Sequence, residues 1–192
     1  MAQTRTATLA QQVGRRIQAL RADLGISLSE LARGANLGKA TLSAVESGTR
    51  NPTLETLYAI AARLDVPLAA LLAPPSQSNP TAVRGTAVTA ELLEVFTDSE
   101  ATTELYRLTI RPGPTQTSPA HPQGVVEYLT VFAGTALVGP ADAPLTVQEG
   151  GHVQFAADTP HTYAALAGEV RASLVIRHPT RRGAEAISPA KK

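Results

Sequence analysis

The sequence has no cysteine and no tryptophan, a single methionine, and only four tyrosines and three phenylalanines among 192 residues. The lack of thiols excludes disulfides and thiolate metal sites. With so few rings the core has to be aliphatic, and a hydrophobic content of 43% is enough to build one. Nowhere do the ~18 consecutive apolar residues of a membrane-crossing helix occur, and the first residues lack the apolar run of a signal peptide. A cytoplasmic location with no membrane partner is therefore expected. The chain has room for two small domains or one of moderate size.

Strong net charge is also lacking, at +1, but the balance hides an asymmetry. Through Leu72 there are eight basic and five acidic residues, a net +3; the remainder carries nine basic and eleven acidic, a net −2. A basic first part on a mildly acidic second fits nucleic-acid contact by the first part alone.

Helical periodicity dominates that first part. Residues 1–8 are polar and Thr-rich and read as a frayed end. Leu9, Val13, Ile17, Leu20 and Leu24 recur at steps of three and four, which predicts a helix over 9–23. Ser27 with Glu30 three residues later forms a capping box, so a second helix begins at Leu28 with Leu31 and Ala32 buried. Gly34, Ala35 and Asn36 interrupt it. Gly38 opens a third helix with Leu42 and Val45 inward, leaving Lys39, Ala40, Thr41, Ser43 and Ala44 outside until Ser47-Gly48 stops it. Pro52 and Thr53 start a fourth, with Leu54, Leu57, Ile60, Ala61 and Leu64 as its stripe, and Pro67 a short fifth ending at Leu71-Leu72. Small and hydrogen-bonding residues on the exposed face of the third helix suit entry into a DNA major groove, because short side chains let the backbone approach base edges.

The run LGISLSELARGANLGKATLSAVESGTRNP, with N-P-T-L-E-T-L after it, resembles the helix-turn-helix of the Cro/repressor (XRE) family over about Val13 to Leu72. Asn36 stands where that family usually has Gly, and Gly38 where a Ser or Thr caps the recognition helix; Asn tolerates left-handed φ and Gly is an acceptable cap. The resemblance implies a DNA-binding domain at 9–72 with base-edge candidates Lys39, Ala40, Ser43 and Ala44. Thr41, Thr49, Arg50 and Asn51 are candidate phosphate contacts, and Ser27 and Leu28 offer backbone amides at a helix start. It also implies an ion pair between Arg21 and Glu46.

Residues 73–85, APPSQSNPTAVRG, have three prolines and no apolar period, and read as a semi-rigid linker. Beyond them the period becomes alternating, with strands expected at 86–97, 103–111, 125–132, 134–139, 144–148, 152–156, 161–166 and 170–177. Many short strands without helices argue for a sandwich or barrel. Residues 179–192, with Arg181, Arg182, Lys191 and Lys192, read as a flexible basic tail.

Within the strands, SPAHPQGVVEYLTVFAG and GGHVQFAADTPHTYAAL place His121, Glu127 and His161. This half (86–178) resembles a cupin, a double-stranded β-helix of the jelly-roll type. His121, Glu127 and Gly134 match the first cupin motif, G-x5-H-x-H-x3-E-x6-G, and His161 the histidine of the second. Gln123 replaces the second histidine, Ala156 the proline, Asp158 a glycine and Ala165 the asparagine. What remains, two imidazoles and a carboxylate, suits one divalent transition ion (Fe, Zn, Ni or Mn) with positions left open. His121, Gln123, Glu127 and His161 are thus the effector-pocket candidates, and His121, Glu127 and His161 the metal ligands. His152 and His178 sit at strand ends and are expected to be exposed.

Together the helix-turn-helix, the Pro-rich linker and the cupin resemble bacterial XRE–cupin transcription regulators, and LLAPPSQSNP, HPQGVVEYLTVFAG and VQFAADTPHTY resemble those of sulfur utilisation. The implied function is a non-enzymatic homodimeric regulator that binds a double-stranded DNA operator and responds to a small-molecule effector or metal. The alternative is a mononuclear iron enzyme similar to phosphonate epoxidases; those hold iron through a histidine where this sequence has Gln123.

Overall fold

The computed structural model describes residues 8–72 and 81–180, and divides the chain into two compact units between Pro74 and Pro75. The expected frayed end, most of the linker and the basic tail lie outside the described residues.

The first unit has four α-helices, α1 (Leu9–Asp23), α2 (Leu28–Gly34), α3 (Lys39–Glu46) and α4 (Leu54–Leu64). The expected fifth helix is a single 3-10 turn at Leu68–Ala70. Pro67 fixes its entry and Leu68, Leu71 and Leu72 bury at once, so one tight turn is enough to meet the core. Thr8 caps α1 with Gln11, and Ser27 caps α2 with Glu30, each as a reciprocal box. The α2–α3 turn passes through Asn36 at φ 54°, and Gly38 caps α3 without a side-chain bond.

Val13 and Ile17 of α1, Leu31 of α2, Leu42 and Val45 of α3, and Leu54, Leu57 and Ile60 of α4 form the core. Leu9 and Leu24, expected in the α1 stripe, are exposed, and Ala10 and Gly14 are buried instead. Gly14 is where α1 meets α3: a Cβ there would stand 2.4 Å from the Val45 carbonyl oxygen and 2.5 Å from that of Glu46.

The second unit is an eight-stranded antiparallel sheet rolled on itself: β1 (Thr81–Arg84), β2 (Val88–Thr97), β3 (Ala101–Ile110), β4 (Gln116–Ser118), β5 (Val126–Pro140), β6 (Leu145–Val147), β7 (His152–Ala156) and β8 (His161–Pro179). The hydrogen-bonded path is β1-β2-β3-β8-β5-β6, with β4 on β8 and β7 on β5. Two pairs of expected strands prove to be single long ones. β5 runs through Gly134 and β8 through Gly168, and their pairing shifts register three times between Val131 and Ala136. The turn-like glycines there bend continuous strands, because the partner strand continues across the bend. β1 lies inside the expected linker and pairs with β2 from Thr81–Leu92 to Arg84–Thr89. β4, three residues long, is not among the expected strands. The core strands alternate: Tyr106, Leu108 and Ile110 on β3, and Ala172, Leu174 and Ile176 on β8, point inward.

Candidate functional site

In the first unit, α3 buries Leu42 and Val45 and leaves Lys39, Ala40 and Ser43 exposed, with Thr41 and Ala44 half-buried. Thr49, Arg50 and Asn51 are exposed after it. The Thr49 hydroxyl donates to the Ala44 carbonyl at 3.1 Å, so it closes the end of α3. Of the two amides expected to be on offer at the start of α2, that of Ser27 is taken: it donates to the Glu30 carboxylate at 2.7 Å. The same capping box that starts the helix consumes that donor.

The Arg21–Glu46 pair is present and bidentate. Arg21 Nε donates to Glu46 Oε1 at 2.7 Å and Nη2 to Oε2 at 2.9 Å, while Nη1 reaches the Ile26 carbonyl at 3.0 Å. The hydrogen bond to Glu46 and its charge outweigh partial burial and raise the guanidinium pKa further. Glu46 is thereby neutralised on the side of α1, away from the exposed face of α3.

In the second unit, His121 (preceding β5), Glu127 (on β5) and His161 (at the start of β8) converge inside the roll. All three are buried, and one ligand atom from each lies within 4.8 Å of the others. His121 Nε2 donates to Glu127 Oε1 at 3.0 Å; its backbone amide is anchored on the Ala157 carbonyl at 2.9 Å. His161 Nδ1 donates to the Thr159 carbonyl at 2.9 Å, which turns Nε2 toward Glu127. That nitrogen stands 3.4 Å from Glu127 Oε1, within ion-pair range but without a well-formed hydrogen bond. The Tyr163 hydroxyl donates to Glu127 Oε2. The His121 and His161 rings stack with centroids 5.2 Å apart.

Burial alone would raise the Glu127 pKa, but polar contacts from both imidazoles and their charge hold it well below the usual carboxylate range. Burial likewise works against a charged His161, and Glu127 outweighs it to raise that imidazole. Two imidazoles and one carboxylate, with His161 Nε2 buried and lacking a hydrogen-bond partner, fit a first-row transition ion.

The remaining pocket candidate, Gln123, is not brought to this group. It is exposed on the turn before β5, and the Gly124 amide beside it donates to Asp158 at 3.1 Å, which pins the turn outward. Asp158 in place of the motif's glycine is thus a tether. His152 is exposed as expected. His178 is not: it is 9% exposed, its Nε2 lies 3.2 Å from Glu104 Oε2, and its ring meets that of His121 edge-on at 5.9 Å. Glu104 and His178 therefore form a second buried acid–imidazole pair beside the first. The alternation Ala172, Leu174, Ile176, continued two residues further, is the signal that places His178 inside.

An exposed helix of the groove-reading type on one unit, and a buried His–Glu–His group inside a jelly roll on the other, define a two-part helix-turn-helix protein. The helix-turn-helix family model (HTH_3) matches residues 17–71. The chain is 30% identical over 156 residues to the HTH-type transcriptional regulator SutR of Escherichia coli strain K12, covering 81% of this chain and 88% of that protein. It therefore belongs to the XRE family of helix-turn-helix transcription regulators with a cupin domain, and it is a DNA-binding protein. The HTH-type transcriptional regulator SinR of Bacillus subtilis strain 168 is 41% identical over 61 residues, which span 31% of this chain and 55% of SinR. Among solved structures, an HTH_3 family transcriptional regulator from Vibrio cholerae superposes with a TM-score of 0.76 at 25% identity, covering 90% of this chain and 98% of that one. Among the described residues, no helix is long and apolar enough to cross a membrane.

Proposed function

We propose that this protein is a ligand-responsive, non-enzymatic transcription regulator acting in the cytoplasm, whose β unit senses a small molecule through a bound divalent metal. The observation that carries this reading is the buried His121–Glu127–His161 group, whose ligand atoms lie within 4.8 Å of one another. Such a set in an aliphatic interior is costly unless it is used. A nitrogen-and-oxygen triad of this kind takes Fe(II), Mn(II), Ni(II) or Zn(II) and leaves coordination positions open for an effector. Supplied there, the metal would polarise and orient a bound ligand; His121, His161 and Glu127 would hold it, and Tyr163 would fix the carboxylate.

On the other unit, Lys39, Ala40, Ser43 and Ala44 are the base-edge contacts. Thr41, Arg50, Asn51 and the backbone amide of Leu28 are contacts to phosphate, while the Thr49 amide and hydroxyl are both taken by the Ala44 carbonyl. One helix of eight residues reads few base pairs, so the protein works as a homodimer on paired half-sites ~34 Å apart. Leu93, Phe96 and Phe132, large apolar side chains exposed on the outside of the sheet, favour the β unit as the dimer contact. Effector binding then needs to bias the two arrangements of the DNA-binding units by only ~1–3 kcal/mol.

Two measurements test this. A mobility-shift assay on the DNA upstream of the protein's own gene should show specific retardation that weakens steeply with salt. Calorimetry on chelator-stripped protein should show stoichiometric Ni(II) or Zn(II) binding that His161→Ala removes. Absence of specific retardation there and across the genome defeats the DNA-binding role; absence of metal heat defeats the sensor.

A further inference from the structure

Beside the metal-ligating group the jelly roll holds a second set of polar atoms that the triad does not use. Gln116 and Ser118 point inward along β4, 1% and 0% exposed, while Thr117 between them points out. In the pairing of β4 with β8, Gln116 lies opposite Tyr163 and Ser118 opposite His161. Directly opposed residues of an antiparallel pair project to the same face with Cβ atoms ~5 Å apart. The Ser118 hydroxyl is therefore the neighbour of a metal-ligand candidate, and the Gln116 amide is the neighbour of the tyrosine that bonds Glu127.

The Gln116 amide is oriented by the backbone. Its Oε1 accepts from the Ala87 and Val88 amides at 3.1 and 3.0 Å, which identifies that atom as the oxygen. Its Nε2 has no hydrogen-bond partner among the described residues, and neither has Ser118 Oγ; His161 Nε2 beside them has only the 3.4 Å ion-pair contact to Glu127. Two orphaned polar atoms beside a metal-ligand candidate, in one small patch of a β-sheet interior, mark a place built to receive something. The orphans include an obligate donor and a hydroxyl able to donate, so what they receive is an acceptor. Beside a cation held by the triad, that acceptor carries negative charge.

We propose that Gln116 and Ser118 are the anchoring donors for the effector, and that the effector is a small carboxylate shared between them and the metal. This rests on the triad holding a metal, as proposed above. The Phe155 ring, its centroid 5.9 Å from that of His161, adds an apolar surface to the same neighbourhood, which favours a short acid over a cationic ligand. Gln116 spans from β4 to the start of β2, so a ligand that grips its amide also ties these two strands together.

The test uses the full chain loaded with Co(II), with oxalate as probe, read by the visible absorption of the metal and by calorimetry. Oxalate is expected to perturb the Co(II) spectrum of the wild type. Ser118→Ala is expected to weaken oxalate by about 10-fold or more, the loss of one buried charge-assisted hydrogen bond. Gln116→Glu keeps an acceptor for the Ala87 and Val88 amides but replaces the donor by a carboxylate oxygen, and is expected to weaken oxalate at least as much. In Ser118→Ala, Co(II) affinity and melting temperature should stay near wild type, which a merely structural role for this residue would not allow. Oxalate affinity unchanged in both variants overturns the proposal and leaves the metal site standing, the two side chains then being satisfied by water. Co(II) binding with no response to oxalate overturns it as well. Failure of Co(II) to bind the wild type overturns the metal reading itself, and this proposal with it.

Discussion

Arg21 and Glu46 lie 25 positions apart in sequence and meet through two parallel hydrogen bonds of 2.7 and 2.9 Å, joining the last turn of α1 to the last residue of α3. Their side chains are 16% and 8% exposed, so the pair is screened but not sealed. A third bond, from Arg21 to the Ile26 carbonyl, extends the same guanidinium to the loop that leads into α2. One side chain thus sets the position of the recognition helix against both of its neighbours. Arg21→Ala or Glu46→Ala should each cost about 1.5–3 kcal/mol, the range for hydrogen bonds to charged groups at a partly buried site. A double-mutant cycle in urea should show that the two losses do not add. Additive losses would mean that the pair carries no coupling.

A second prediction concerns Gly14, where the backbones of α1 and α3 touch. Gly14→Ala puts a methyl group 2.4 Å from a carbonyl oxygen that cannot rotate away, so α3 has to shift. We expect a loss of about 1–3 kcal/mol, as for overpacking, together with weaker operator binding. Gly34→Ala is the control. The added methyl there meets only the flexible end of Arg63, and the change should stay within about 1 kcal/mol of neutral. Equal effects of the two substitutions would refute the close-approach account.

How much of this is legible in the sequence depends on the kind of signal. The capping box at Ser27 and Glu30, the left-handed turn at Asn36 and the inward pair Leu42 and Val45 are local, and three- and four-residue spacing reveals them. Gly14 escapes such spacing because a glycine in an amphipathic stripe leaves no apolar mark, although a glycine in mid-helix is itself a sign of close approach. Gly134 and Gly168 look like strand ends because the partner strand that keeps the chain extended is more than 25 residues away. For the pocket, motif spacing is enough to name His121, Glu127 and His161. The same spacing points to Gln123, whose exclusion depends on the Asp158–Gly124 tether, a contact across 34 positions. Gln116 and Ser118 lie on a strand of three residues, too short to show any alternation.

DNA recognition separates by residue role. Arg50→Ala should weaken binding about equally on all DNA sequences and reduce the slope of log affinity against log salt by about 1, as expected when one phosphate is no longer neutralised. Ser43→Ala and Lys39→Ala should instead cost about 1–3 kcal/mol at the operator with little effect on random DNA. Binding isotherms at several salt concentrations on both DNAs distinguish these outcomes. A Lys39→Ala variant whose affinity falls uniformly would move Lys39 to the phosphate class.

The raised pKa of His161, together with the proposed metal, gives a pH signature of defined sign. In the metal-free protein its pKa is raised above the ordinary 6.5, so its contribution to stability is fully present below about 6.5 and fades as pH rises through the raised value. Glu127 is shifted the opposite way, so its contribution is present above its ordinary 4.5 and is lost only in strong acid. Both contribute together between those two values, and the melting temperature of the β unit in chelator should decline from mildly acidic to alkaline pH. Metal reverses the trend, because the ligands have to be deprotonated to bind it and the added stabilisation grows with pH. At a free metal concentration 100-fold above Kd that increment is about 2.7 kcal/mol. Glu127→Gln should remove both effects, since without the carboxylate the buried His161 loses the charge that raised it. Melting curves of wild type and Glu127→Gln, each with chelator and with Ni(II) from pH 5.5 to 8.5, provide the comparison. A metal increment that stays flat with pH would show that the ion binds somewhere other than these two imidazoles.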